Sequence, residues 1–129
     1  MKDMEDSAIT RNGNSLILAY DHGTEHGPVD FDPMPKSADP KHVFKVAQHS
    51  AVTALALQKG NAEYYRDWQD GEDDTPLLVK LNGNSSLPKR EDYYSPKQCS
   101  VQYAVEELDA DAVGYTMYAG SIHEDEMWK

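Results

Sequence analysis

Apolar residues gather in four short runs, each closed by polar and glycine-rich residues. They predict strands over 15–20, 52–58, 77–81 and 112–118. The first, Leu16-Ile17-Leu18-Ala19-Tyr20, is uninterrupted, which reads as a buried parallel strand. Between the runs the apolar spacing turns helical. Val43, Phe44, Ala47 and Ala51 share one face, behind an Asp39-Pro40 start in which the acid caps the helix and proline takes its first position. This helix ends near residue 50. Asn61 caps a short helix reaching Trp68, with Tyr64, Tyr65 and Trp68 as packing aromatics. A third helix covers roughly 97–108 and turns Val101, Ala104, Val105 and Leu108 to one side.

The order is β-α-β-α-β-α-β, and another helix opens before Lys129. Such alternation predicts an α/β fold with a parallel sheet and right-handed crossovers. The polar loops after the strands then lie on one face, where α/β folds keep their chemistry. Residues 21–37 contain Pro28, Pro33 and Pro35 and read as an irregular, functional loop.

Composition narrows the partners. The net charge is −11 and the pI about 4.7. Such a surface repels nucleic acid and anionic membrane. The acids are scattered, apart from Asp70-Gly71-Glu72-Asp73-Asp74, which reads as a solvated loop. The acidic excess also suits solubility in high salt. Cys99 is the only cysteine and reads as a small buried residue. No apolar run approaches the roughly 18 residues of a membrane span. Residues 1–6 are acidic and lack the features of a secretory signal, so a cytoplasmic protein is expected.

The first run ends in Asp21, His22, Glu25 and His26, with Gly23 and Gly27 to turn the backbone and Pro28 to stop the strand. These groups can move protons. On residues alone, Asp21 is equally a turn carboxylate or a functional one. A metal site built from Asp21, His22 and His26 is a third reading, because mixed Asp/His ligands suit zinc or iron. Lys80, near the end of the third run, invites a Schiff-base role. The preferred reading pairs it with an acid such as Asp21.

Ala19-Tyr20-Asp21-His22-Gly23-x-Glu25-His26-Gly27-Pro28 resembles the end of the first barrel strand in archaeal-type class I fructose-bisphosphate aldolases. Ala56-Leu57-Gln58-Lys59-Gly60 is similar to the second strand end, and Ala62-Glu63-x-Tyr65, just beyond it, also fits. Leu78-Val79-Lys80-Leu81-Asn82-Gly83 resembles the third. Asp111-Ala112-Val113-Gly114-Tyr115-Thr116-x-Tyr118-x-Gly120-Ser121 resembles the fourth. Four matches in order are far more specific than one. The wording is closest to halophilic archaeal members. One departure is Asp109, where the family usually ends a helix with glycine; Asp tolerates the left-handed conformation it must adopt.

The resemblance implies the N-terminal half, about four βα units, of a (β/α)8 TIM barrel. The 129 residues form a single partial domain, about half of the roughly 250 in a whole barrel. It implies Schiff-base aldol chemistry on a sugar phosphate, with no metal or organic cofactor. Asp21 and His26 are the implied catalytic residues. His22, Lys80 and Asn82 are expected beside the substrate, His22 also as a brace for its loop. The family's lysine nucleophile lies on a sixth strand, with aromatic partners after the fifth and a phosphate grip after the seventh and eighth. The expected partners are a homo-oligomer or a complementary half-barrel. The alternatives are a truncated, non-catalytic half-barrel, and the sister branch that makes an aromatic amino acid precursor.

Overall fold

In the computed structural model, residues 7–69 and 73–129 are described. The acidic start at 1–6, and 70–72 of the acidic run, lie outside the described residues. The elements are β1 (Ile17–Tyr20), α1 (Pro40–Ala47), β2 (Ala54–Gln58), α2 (Lys59–Trp68), β3 (Leu77–Lys80), α3 (Val101–Glu106), β4 (Ala112–Gly114) and α4 (Glu124–Met127). The strands form one parallel sheet in the order β1-β2-β3-β4.

Strand alternation divides this sheet into two faces. Tyr20, Leu55, Leu57, Leu77 and Val79 join Phe44 and Ala47 of α1, Tyr65 of α2 and Ala104 of α3 in one core. Phe44 is its centre, with the rings of Tyr65 and Trp68 at 5.0 and 5.4 Å. The opposite face has two rows fixed by the register. Ala19, Ala56, Leu78 and Ala112 form the first; Gln58, Lys80 and Gly114 form the next, toward the C-terminal strand ends.

Local chemistry explains the helix starts. Asp39 accepts from the Lys41 amide at 3.0 Å while Pro40 occupies the first helical position. Ser100 caps α3 through the Tyr103 amide at 3.0 Å. Asp109 has φ +49°, the left-handed turn expected of it. Cys99 is buried.

Several elements differ from the sequence reading. β1 is parallel but is an edge strand, so Leu16 and Ile17 are 55% and 38% exposed rather than buried. β4 stops at Gly114, because beyond it the backbone bonds to the Asn82 side chain instead of a neighbouring strand. α1 ends at Ala47 and leaves Ala51 outside. α2 starts at Lys59, straight from β2, with Gln58 and not Asn61 at its cap position. In α3, Ala104 is buried but Val101 and Val105 are about half exposed. The proline-rich loop contains two 3-10 turns, Pro28–Phe31 and Pro35–Ala38, each with proline at a first-turn position that needs no donor. Asp73 is more than solvated: its carboxylate accepts from the buried Tyr65 hydroxyl at 2.7 Å.

Candidate active site

The row that ends in Gln58 and Lys80 is where side chains from separate strands meet. Asp21 comes directly after Tyr20 and continues the Ala19 face beyond the strand end. Its Oδ2 lies 2.6 Å from Lys80 Nζ, and the two side chains are 27% and 22% exposed. Gly114 is the register partner of Lys80, so no side chain crowds the lysine from β4. The carboxylate therefore has one oxygen anchored by an ammonium; among the described residues its Oδ1 carries no bond. This is the pairing expected for Lys80.

The loop after β1 is shaped by Gly23 and Asp30. Gly23, at φ +77°, donates its amide to Asp30 Oδ2 at 2.9 Å. A side chain at Gly23 would also meet the Phe31 ring at 2.7 Å. His26 Nδ1 is 3.2 Å from Asp30 Oδ1, and His26 is 60% exposed. The Gly23 amide foremost, with His26 and His22 nearby, holds the Asp30 carboxyl below its ordinary range against the opposing effect of burial. His22 stacks between Tyr20 and Phe31, with centroids at 5.7 and 6.4 Å. Asp21, His22 and His26 thus turn to three different partners. Among the described residues no three His, Cys, Asp or Glu side chains converge as a metal-binding group.

Asn82 is fully buried and ties β3 to the chain after β4. Its Nδ2 donates to Ser95 O at 3.0 Å and Thr116 O at 2.7 Å, and its Oδ1 accepts from the Thr116 amide at 2.8 Å. Both amide protons are engaged, which leaves nothing on Asn82 to donate to a ligand.

Gln58 and Tyr118 stand at the same end of the sheet, and neither residue type marks itself out as functional in the sequence. Gln58 is buried against Gly83, whose missing side chain makes room for the Gln58 amide. Tyr118 stacks on Tyr93 at 5.1 Å. Burial, then the charge of Glu25, push its hydroxyl above the ordinary tyrosine range, opposed by Asn84 and Lys80. The signal for both lay in the motifs: each sits at a matched strand end.

Residues 15–129 match the DeoC/LacD family of aldolases. The chain is 52% identical over 127 residues to the class 1 fructose-bisphosphate aldolase of Halobacterium salinarum, covering 98% of this chain and 47% of that protein. It is 45% identical over 121 residues to the class 1 fructose-bisphosphate aldolase of Thermoproteus tenax, covering 94% and 43%. A solved archaeal fructose-1,6-bisphosphate aldolase, with its catalytic lysine bound to the carbinolamine intermediate of the substrate, superposes with a TM-score of 0.81 at 44% identity. That match covers 94% of this chain and 45% of the solved one. The chain thus spans about half the length of the relatives it matches. With four matched strand ends, an all-parallel sheet and this coverage, the chain belongs to the DeoC/LacD aldolase family and forms the N-terminal half of a (β/α)8 barrel.

Proposed function

We propose that these residues are the front half of a class I, Schiff-base fructose-bisphosphate aldolase. The whole enzyme cleaves fructose 1,6-bisphosphate reversibly to dihydroxyacetone phosphate and glyceraldehyde 3-phosphate, through a lysine-bound intermediate and without a cofactor. The observation that carries this reading is Asp21, anchored by Lys80 at the mouth of the sheet with one carboxylate oxygen left over.

Forming and collapsing a carbinolamine moves protons on and off oxygen, and a fixed carboxylate is suited to that. Asp21 is assigned this transfer, and His26 assists from the same loop. Lys80 is assigned to orient Asp21, because an ammonium paired with a carboxylate is no nucleophile. The nucleophile is assigned to a lysine outside these 129 residues. Asn82 serves by positioning, through its clamp on Thr116, and His22 by bracing the β1 loop against Phe31. On this reading the protein works in the cytoplasm on a sugar phosphate, as a homo-oligomer or with a complementary half-barrel, and the strands that carry the nucleophile come from further chain or a second polypeptide. The same site would serve the sister branch, which makes an aromatic amino acid precursor.

A second reading is a non-catalytic half-barrel. The exposure of Ile17 and Val113 on the two edge strands, 38% and 40%, favours it for the chain standing alone. Borohydride trapping separates the two. The protein made in its native cell is mixed with dihydroxyacetone phosphate and sodium borohydride, then mapped by mass spectrometry. The aldolase reading expects one modified lysine outside residues 1–129. A modified Lys80, or no modified lysine together with no cleavage of fructose 1,6-bisphosphate, overturns it.

A further inference from the structure

The loop between β3 and α3 forms an open cavity of about 460 Å³, lined among others by Asn84, Ser85, Ser86, Lys89, Arg90 and Tyr93. Lys89-Arg90 is the only place in the sequence where two Lys or Arg residues are adjacent, in a chain of net charge −11. Among the described residues neither head group has a carboxylate within salt-bridge range. Arg90 is oriented by the Tyr94 ring, with its guanidinium carbon 5.0 Å from the centroid. Two acids also line the cavity. Asp92 is committed to the backbone, accepting from the Tyr93 amide at 2.7 Å and the Ile122 amide at 3.0 Å. Glu91 is exposed to solvent.

Of the two serine hydroxyls in the lining, one is free to donate. Ser85 Oγ accepts from the Leu87 amide at 3.3 Å and keeps its own proton to give. Ser86 pins the loop to the β1 loop, through its amide at 2.8 Å and its hydroxyl at 2.7 Å from Glu25 O. A planar guanidinium, an ammonium and a hydroxyl around one cavity suit the oxygens of a phosphate. The cavity borders the candidate active site: Tyr93, in its wall, stacks on Tyr118 at 5.1 Å.

We propose that this cavity binds a phosphomonoester, gripped by Lys89 and Arg90 with Ser85 as hydroxyl donor. On the aldolase reading above, on which this identification of the ligand rests, it takes the substrate phosphate remote from the reacting carbonyl.

The test monitors the full native protein by amide NMR during titration with inorganic phosphate, glyceraldehyde 3-phosphate and glyceraldehyde. The expected result is saturable shifts in residues 84–94 with the two phosphates and none with glyceraldehyde. Tighter binding of glyceraldehyde 3-phosphate than of inorganic phosphate identifies a sugar-phosphate site; equal binding identifies a free-phosphate site and overturns the assignment to the substrate. Lys89→Ala/Arg90→Ala should weaken binding about 10-fold or more, since two charge-assisted contacts are lost. Lys41→Ala/Lys45→Ala should leave it unchanged. No saturable shift, equal affinity in the Lys89/Arg90 variant, or equal losses in both variants overturns the proposal. If binding behaves as expected while the native protein shows no cleavage of fructose 1,6-bisphosphate, the aldolase reading fails and the phosphate site stands.

Discussion

Lys80 Nζ stands 2.6 Å from Asp21 Oδ2 although the two are 59 positions apart in sequence. Parallel pairing of three strands brings them together: β1 on β2 and β2 on β3 place the ends of the first and third strands at one mouth. Gln58 lies in register between the two strands. The pair forms because β2 holds β1 and β3 one strand apart in the same direction, so that their C-terminal ends share one edge of the sheet.

Asp21→Asn should remove the proton acceptor and keep the shape. In the native enzyme we expect kcat to fall roughly 10²- to 10⁴-fold, the usual range for a lost proton-transfer group. Stability should fall by about 1 kcal/mol, because the pair is partly exposed. Steady-state kinetics and urea unfolding of the same variant read the two effects. Unchanged kcat would remove Asp21 from the chemistry.

Asn82→Ala should be a folding mutation. It strands Ser95 O in a buried place and both the amide and carbonyl of Thr116 in a partly buried one. The expected loss is about 2–4 kcal/mol, visible as a lower urea midpoint. A loss of a few tenths would show that the clamp contributes little.

Gly23→Ala combines a positive φ with a collision against Phe31. We expect a loss of about 1–3 kcal/mol and a loosened His22–Phe31 stack. Chemical shifts of the Phe31 ring report the second effect. An unchanged ring environment and midpoint would mean the loop absorbs the methyl group.

Tyr65 sets an alkaline limit. Burial foremost, then its bond to Asp73, push its hydroxyl well above the ordinary value of 10.0. The folded state then holds the proton more tightly than the unfolded chain. The stabilisation is complete below about pH 10 and is lost as pH rises toward the folded value. Tyr65→Phe should flatten this alkaline fall while costing about 0.5–1.5 kcal/mol at neutral pH. The stability–pH curves of the two proteins check this.

The 129-residue chain by itself should associate. Both sheet edges carry exposed apolar residues, Ile17 on β1 and Val113 on β4, beside unpaired strand backbone. Sedimentation velocity over a concentration series should show growth beyond the monomer. A single sharp, salt-independent unfolding transition of a monomer would count against it.

Local chemistry was legible in advance. The four apolar runs and the Asp39-Pro40 helix start arise from the nature of a few neighbouring residues, the buried Cys99 follows its residue type, and the left-handed turn at Asp109 was expected from the resemblance. The four strand-end motifs carried the family and the barrel half, because their order along the chain is itself information. Where elements stop was not legible. β4 yields to Asn82, a side chain 34 positions away from Thr116, and no local pattern announces such a competitor. The exposure of β1 comes from its place at the sheet edge, and an apolar run reads the same at an edge or in the centre. Tyr118 and Gln58 acquire their surroundings from distant loops, Tyr93 for the one and Gly83 for the other, so their residue types alone carried no hint. The partnership of Asp21 with Lys80 could be anticipated as chemistry, acid with base. Its geometry arises only when distant segments fold against each other, whereas the turn of His26 toward Asp30 is a local contact four positions apart.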